Sequence, residues 1–140
     1  MQVKKICVLG GSGFVGSSVV AKLDQAGYAV TVLTRRRDTA KHLFLLPNVS
    51  VLECNVQDDQ ALTAALKGAD AVINLIGILH QSRRASFDKV HHQLPTRLAK
   101  ICEALGIRRL LQMSSLQAAK TAPSEYLRSK AAGEAALLAY

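Results

Sequence analysis

The feature that most constrains this chain is a glycine-rich turn placed directly after its first apolar run. Leu9-Gly10-Gly11-Ser12-Gly13-Phe14-Val15-Gly16 follows Val3–Leu9 and opens an amphipathic segment, Phe14–Ala26. Gly10, Gly13 and Gly16 stand in the spacing G-x-x-G-x-x-G. In a strand–turn–helix, the first glycine permits the tight turn and the second lets a pyrophosphate approach the backbone. The third lets helix and strand pack closely. Free N–H groups and the positive dipole end at the helix N-terminus favour an anion there. A glycine triplet also occurs in ordinary tight turns; its position after a strand and before a helix makes it a candidate dinucleotide site.

The rest of the chain repeats that alternation. Apolar runs at Ala29–Thr34, Val49–Cys54, Ala69–Ile76 and Arg108–Met113 are short, aliphatic and nearly continuous. Such runs suit strands buried on both faces of a parallel sheet. Helical patterns lie between them, and Gly27, Gly68 and Gly106 each stand just past a last apolar position, as helix ends require. Pro95 falls inside the third pattern, so that helix kinks or starts there. The expected fold is α/β: a Rossmann-type, doubly wound parallel sheet of about five strands. Ser124–Tyr140 reads as a helix on which the sequence stops. One cofactor-binding domain over residues 1–140, with the later part of such a fold missing, is the expected organisation.

Composition narrows the function. Hydrophobic residues make up 49% of 140 and aromatics only 4%, so the core is aliphatic. The formal net charge is +8, and most of the excess lies in the second half. Residues 71–140 carry 10 basic and 4 acidic side chains, against 8 and 6 in residues 1–70. With few aromatics for stacking and no reading motif, nucleic acid is not the expected partner. No apolar run reaches the ~20 residues of a membrane span. Cys7, Cys54 and Cys102 form no C-x-x-C pair; Cys7 and Cys54 read as small buried hydrophobes in a reducing, cytoplasmic setting. His80, His91 and His92 have no metal-ligand spacing.

The end of the second run bears on the cofactor. An acid there would hold the ribose 2′-hydroxyl of NAD, whereas an arginine accommodates a 2′-phosphate. The chain reads Thr34-Arg35-Arg36-Arg37, with no acid before Asp38. Arg35, then Arg36, are the expected phosphate contacts, and NADP(H) is expected over NAD(H). A solvated basic loop is the other reading. Further on, Tyr126 and Lys130 stand four apart on one helix face. An ammonium beside a phenol favours the phenolate and makes a usable acid/base. Ser115 ends the fifth run, where a hydroxyl can hold a substrate oxygen.

Taken together, Gly-Gly-Ser-Gly-Phe-Val-Gly, Leu-Thr-Arg-Arg and Tyr-Leu-Arg-Ser-Lys-Ala-Ala-Gly-Glu give a resemblance to the short-chain dehydrogenase/reductase superfamily. It is similar to the extended branch of NAD-dependent epimerase/dehydratase proteins, and to the atypical group that includes the nucleotide-binding accessory subunit of respiratory complex I. The resemblance spans the chain but only the front of such proteins. It implies that Gly10, Ser12, Gly13, Phe14, Val15 and Gly16 line the pyrophosphate, and that Arg35 meets the adenosine phosphate. Asn55-Val56 matches the pair beside the adenine, with Asn where the family has Asp. Asn74-Leu75-Ile76-Gly77 matches the stretch passing the cofactor ribose, giving Leu75, Ile76 and Gly77 as contacts. Ser115, Tyr126 and Lys130 match the catalytic Ser, Tyr and Lys, Tyr126 and Lys130 also touching the cofactor. The family's helix Asn falls on His91, a departure that leaves its relay role open. The resemblance implies a hydride-transferring oxidoreductase or, as the alternative, a non-catalytic NADP(H)-binding module of a complex I-like assembly. The substrate lies outside what the residues read, and a homodimer is compatible with the Leu/Ala helix surfaces.

Overall fold

The structure, a computed structural model, describes residues 3–11, 13–76, 86, 88–113 and 125–138. Five strands form one parallel sheet: β1 (Lys5–Leu9), β2 (Ala29–Thr34), β3 (Val49–Glu53), β4 (Ala71–Asn74) and β5 (Arg109–Gln112). Their order is β3-β2-β1-β4-β5. The chain winds outward from β1 to β3, then returns to the other side of β1, so the order reverses between β1 and β4. In open α/β sheets that reversal opens a crevice at the carboxyl ends of the two strands.

Alternation along β1 builds two cores. Cys7 and Leu9 point to the face covered by α2 (Asp59–Leu66) and α3 (Leu94–Leu105), where Leu62, Leu66, Leu94, Leu98 and Cys102 are buried. Ile6 and Val8 point to the opposite face, under α1 (Phe14–Gln25) and the 3-10 segment Arg37–Leu43, where Val20, Val30, Val32, Ala40 and Leu43 close the layer. Of the strand runs expected to be buried on both faces, those of β1, β2 and β4 are. β3 and β5 are edges of the sheet, and Leu52 and Leu111 lie 44% and 59% exposed. A continuous apolar run marks a strand without counting its neighbours.

The helices end near the glycines named above, Gly27, Gly68 and Gly106, all with positive φ. Pro95 starts a helix rather than kinking one. It occupies the first turn of α3, where its missing N–H loses no intrahelical bond, and a π turn, Asp88–Gln93, leads into it. The last helix, α4 (Glu125–Leu138), packs on that π turn, on α3 and on β5. No helix among the described residues is long and apolar enough to cross a membrane.

Candidate functional site

The carboxyl ends of β1, β2, β4 and β5 carry the site. Leu9 pairs with Leu33 on one side and Asn74 on the other, and Asn74 pairs with Gln112. The glycine turn, the arginine segment and the loops after β4 and β5 therefore leave the sheet from a single transverse row.

Two of the three motif glycines are required by the backbone, each for a different physical reason. Gly10 has φ +80°, and an added Cβ would lie 2.9 Å from the Ile76 amide nitrogen and the Leu75 carbonyl carbon. The turn thus runs tight against the end of β4. At Gly16 a Cβ would lie 2.3 Å from the Gly10 carbonyl oxygen and 2.7 Å from Gly11 Cα, so α1 sits on the turn with no room for a side chain. Gly13 is the opposite case: a Cβ there meets nothing within 4 Å. The space beside Gly13 is open, at the N-cap of α1.

That helix start is electrostatically unfilled. The Gly13 N-cap supplies no side-chain acceptor, and the first turn of α1 holds no acid. At α2, by contrast, the Asp58 carboxylate accepts from the amides of Gln60 (3.0 Å) and Ala61 (3.4 Å), and Asp59 lies in the first turn. One helix is closed by its own carboxylate; the other, among the described residues, has neither a side-chain cap nor a first-turn acid to meet its dipole end. A dinucleotide pyrophosphate fits that cradle. Gly10, Gly13, Gly16 and the backbone of Phe14 and Val15 would hold it, with Leu75 and Ile76 as the opposite wall. Ser12 and Gly77 lie outside the described residues, as does the Phe14 side chain.

After β2, the buried Thr34 shapes the arginine segment. Its Oγ1 donates to the Arg36 carbonyl (3.1 Å) and accepts from the Arg36 N–H (3.3 Å), turning the chain out of the sheet. Arg36 is ion-paired with Asp38 at 3.2 Å. The Arg37 amide donates to Glu53 (3.0 Å), and its guanidinium lies 5.2 Å from the Phe44 ring centroid. Arg35 is exposed and has no ion pair among the described residues. It is the arginine available to a ligand. The segment is tied back to the glycine turn, because His42 Nε2 and Ser17 Oγ are hydrogen-bonded at 2.8 Å.

Just past β3, Asn55 is exposed and its Oδ1 accepts from the Gln57 amide (3.0 Å). Val56 is half-buried, and its carbonyl accepts from Arg97 Nη2 at 2.6 Å, while Arg97 Nε donates to Asp59 at 2.7 Å. Arg97 clamps this loop to α3. Sequence reasoning did not single it out.

Tyr126 and Lys130 both lie on α4. Tyr126 is half-buried; Lys130 is only 5% exposed, and its Nζ donates to the Met113 carbonyl at 2.8 Å, just past β5. Burial pushes the Lys130 ammonium below the ordinary lysine range, with Glu134 opposing. Asn74 is fully buried beneath this point. Its Nδ2 donates to Gln112 Oε1 (2.8 Å), its Oδ1 accepts from the Ile76 amide (3.1 Å), and Gln112 Nε2 donates to the Met113 carbonyl (3.1 Å). Gln112 was likewise not singled out from sequence. The available signal was a polar residue ending an apolar strand run. Ser115, the His91 side chain and His80 lie outside the described residues. The structure brings together Gly10, Gly13, Gly16, Leu75 and Ile76, and separately joins Lys130 to the end of β5.

Away from this edge, a cleft of about 610 Å³ lies at the amino ends of the strands, lined by Val3, Lys4, Lys5, Gly27, Tyr28 and Arg109 among others. No residue named above as a candidate lines it. The three cysteines are free and buried.

Comparison with known proteins places this geometry. The chain is 37% identical over 136 residues to the mitochondrial NADH dehydrogenase (ubiquinone) 1 alpha subcomplex subunit 9 of Arabidopsis thaliana, covering 94% of this chain and 34% of that protein. It is 31% identical over 134 residues to a ceramide reductase of Caulobacter vibrioides, covering 96% of this chain and 42% of that one. The chain thus spans about a third to two-fifths of the length of these curated relatives. Among solved structures, the Bordetella bronchiseptica enzyme WbmG in complex with NAD superposes with a TM-score of 0.79 at 22% identity, over 99% of this chain and 50% of that one. At that identity the likeness is one of fold. The model of the NAD dependent epimerase/dehydratase family matches residues 6–140, and the chain belongs to that family.

Proposed function

We propose that the chain is the NADP(H)-binding part of an oxidoreductase-like protein of this family, with Tyr126 as its acid/base. The observation that carries the cofactor reading is the exposed Arg35, which has no ion pair among the described residues and follows β2, the strand paired with the β1 that leads into the open start of α1. The cradle would take the pyrophosphate, and Arg35, then Arg36, the adenosine 2′-phosphate. The bound nicotinamide would supply or accept the hydride. Tyr126 would pass a proton to or from a substrate oxygen, Lys130 would favour its phenolate and meet the cofactor, and Ser115 would orient the substrate. His91 stands where the family's relay Asn would be. The three buried free thiols fit a reducing compartment such as the cytoplasm.

The similarity to a complex I subunit favours a second reading, a non-catalytic module in which the bound dinucleotide steadies a protein assembly. Fluorescence titration with NADPH and NADH tests the first reading. NADPH is expected to bind more tightly, and Arg35→Ala should weaken NADPH by about tenfold, as loss of a charged hydrogen bond does, and leave NADH unchanged. Equal or tighter binding of NADH would overturn the preference. Tyr126→Phe separates the two readings in the full-length protein: lost turnover with retained cofactor supports catalysis, and a wild type that holds cofactor yet never turns over supports the module.

A further inference from the structure

Lys130 raises a positioning problem that the sequence leaves open. The residue is 5% exposed and sits on α4. A lysine stem has four rotatable bonds, and a buried ammonium needs fixed acceptors to be held in one place. Among the described residues Nζ has one, the Met113 carbonyl at 2.8 Å. That carbonyl lies one residue past the end of β5.

Two contacts hold it. The Met113 amide donates to the Asn74 carbonyl (2.9 Å), continuing the β4–β5 ladder by one bond. The Gln112 side chain then reaches forward, its Nε2 donating to the Met113 carbonyl at 3.1 Å. Gln112 Oε1 is fixed in turn by Asn74 Nδ2 at 2.8 Å, and Asn74 has no solvent exposure. Because Asn74 Oδ1 also accepts from the Ile76 amide, this same side chain shapes the wall against which Gly10 packs. A continuous chain of hydrogen bonds runs from the Ile76 amide, through Asn74 and Gln112, to the carbonyl that holds the ammonium. The buried Asn74 amide has little freedom to pivot, since turning it would orphan a partner, and it anchors the half-buried Gln112 amide at its oxygen.

We propose that Gln112 is a positioning residue for Lys130, fixing the Met113 carbonyl on which the ammonium is held. The proposal rests on the reading of Lys130 as a site residue for its functional meaning, but its geometry is testable without a cofactor. Acetylation of the chain by acetic anhydride, followed site by site by mass spectrometry with exposed Lys67 as the internal standard, reads how firmly Nζ is held. Gln112→Leu should raise the Lys130 rate about fivefold relative to wild type, the worth of one hydrogen bond. Gln112→Ser, whose hydroxyl lets water reach Asn74 and so spares the fold, should do the same. Alkylation of the buried Cys102, which reports general loosening, should stay unchanged. Lys130 reactivity unchanged in both variants, or rising only in step with Cys102, would overturn the proposal. An NADPH-binding cycle adds the functional arm. Gln112→Ser should weaken NADPH several-fold in the wild type and add nothing once Lys130→Met is present; equal weakening in both backgrounds would show that Gln112 does not act through Lys130. A wild type that binds neither NADPH nor NADH would refute the cofactor reading instead, and the acetylation ratio would still decide the positioning.

Discussion

The glycine turn makes a prediction in which stability and binding separate. Gly16→Ala introduces a methyl whose carbon would lie 2.3 Å from the Gly10 carbonyl oxygen and 2.7 Å from Gly11 Cα. Both neighbours are backbone, so neither can rotate away. To regain ordinary contact at 3.4 Å or more, the first turn of α1 must retreat from β1 by roughly 1 Å. That retreat strains the layer in which Val20 packs on Val8 and Val32. Overpacking of this kind costs about 3 kcal/mol. For 140 residues, that is a fall in Tm of ~10 °C. Gly13→Ala should behave oppositely. Its backbone is extended (φ −76°, ψ −177°), a conformation alanine adopts freely, and the new methyl meets nothing within 4 Å. The small loss in N-cap preference is offset by a less flexible unfolded chain, leaving stability within about 0.5 kcal/mol of wild type. The methyl does occupy the space proposed for the pyrophosphate, so NADPH affinity should fall by tenfold or more, ~1.4 kcal/mol. Thermal unfolding followed by circular dichroism, together with NADPH titration at a temperature where all variants are folded, checks both arms. Gly16→Ala unfolding within 1–2 °C of wild type would refute the steric argument. Gly13→Ala binding NADPH normally would refute the assignment of that space.

Two further outcomes follow from buried groups. Burial pushes the Cys7 thiol up to about 12, with Cys54 and Cys102 adding to the shift, and the Cys102 thiol up to about 11. At pH 8 almost no thiolate exists in the folded chain, so iodoacetamide labelling of both should be slow and should accelerate together with unfolding in urea; fast labelling of the native chain would contradict the packing. Arg97→Ala removes the donor to the half-buried Val56 carbonyl and the partner of Asp59, and should destabilise by about 1–2 kcal/mol in chemical denaturation. Arg97→Lys should restore only part, because one ammonium cannot reproduce the forked contacts; full restoration would make the clamp a simple charge effect.

Much of the fold was legible because it is written in local patterns. Short aliphatic runs, 3–4 spaced helical stripes and helix-ending glycines require no knowledge of distant residues, and the strands and α-helices among the described residues follow them closely. Edge exposure at Leu52 and Leu111 was not legible, since a strand's neighbours are decided elsewhere in the chain. Nor was the start of α3 decided. Pro95 permits either a kink or a beginning, and the π turn before it is what admits the beginning. The site divides the same way. Gly10 and Gly16 were readable because each is demanded by its own backbone position, whereas Gly13 was readable from its motif spacing alone. Arg97 was hidden among helical residues, because its partners Val56 and Asp59 come from about forty residues earlier and meet it only through the crossover.

The polar residues that end the strands show why the candidate site gathers at this edge. β2, β4 and β5 finish on Thr34, Asn74 and Gln112, and each side chain hydrogen-bonds backbone one or two residues further on. β1 finishes instead on fully buried Leu9, after which a glycine takes the turn. Apolar alternation inside the strands sets the sheet and tolerates exchange among aliphatic residues. The terminal polar residue decides where each departing loop goes: the arginines outward, Ile76 against Gly10, and the Met113 carbonyl onto Lys130. Exchanging Val32 for Ile should thus alter stability alone, whereas exchanging Gln112 should loosen the Met113 carbonyl that accepts from Lys130, at little change in the core. The fold and the site are specified by different residues of the same strands, and the boundary between them is a single row, Leu33-Leu9-Asn74-Gln112.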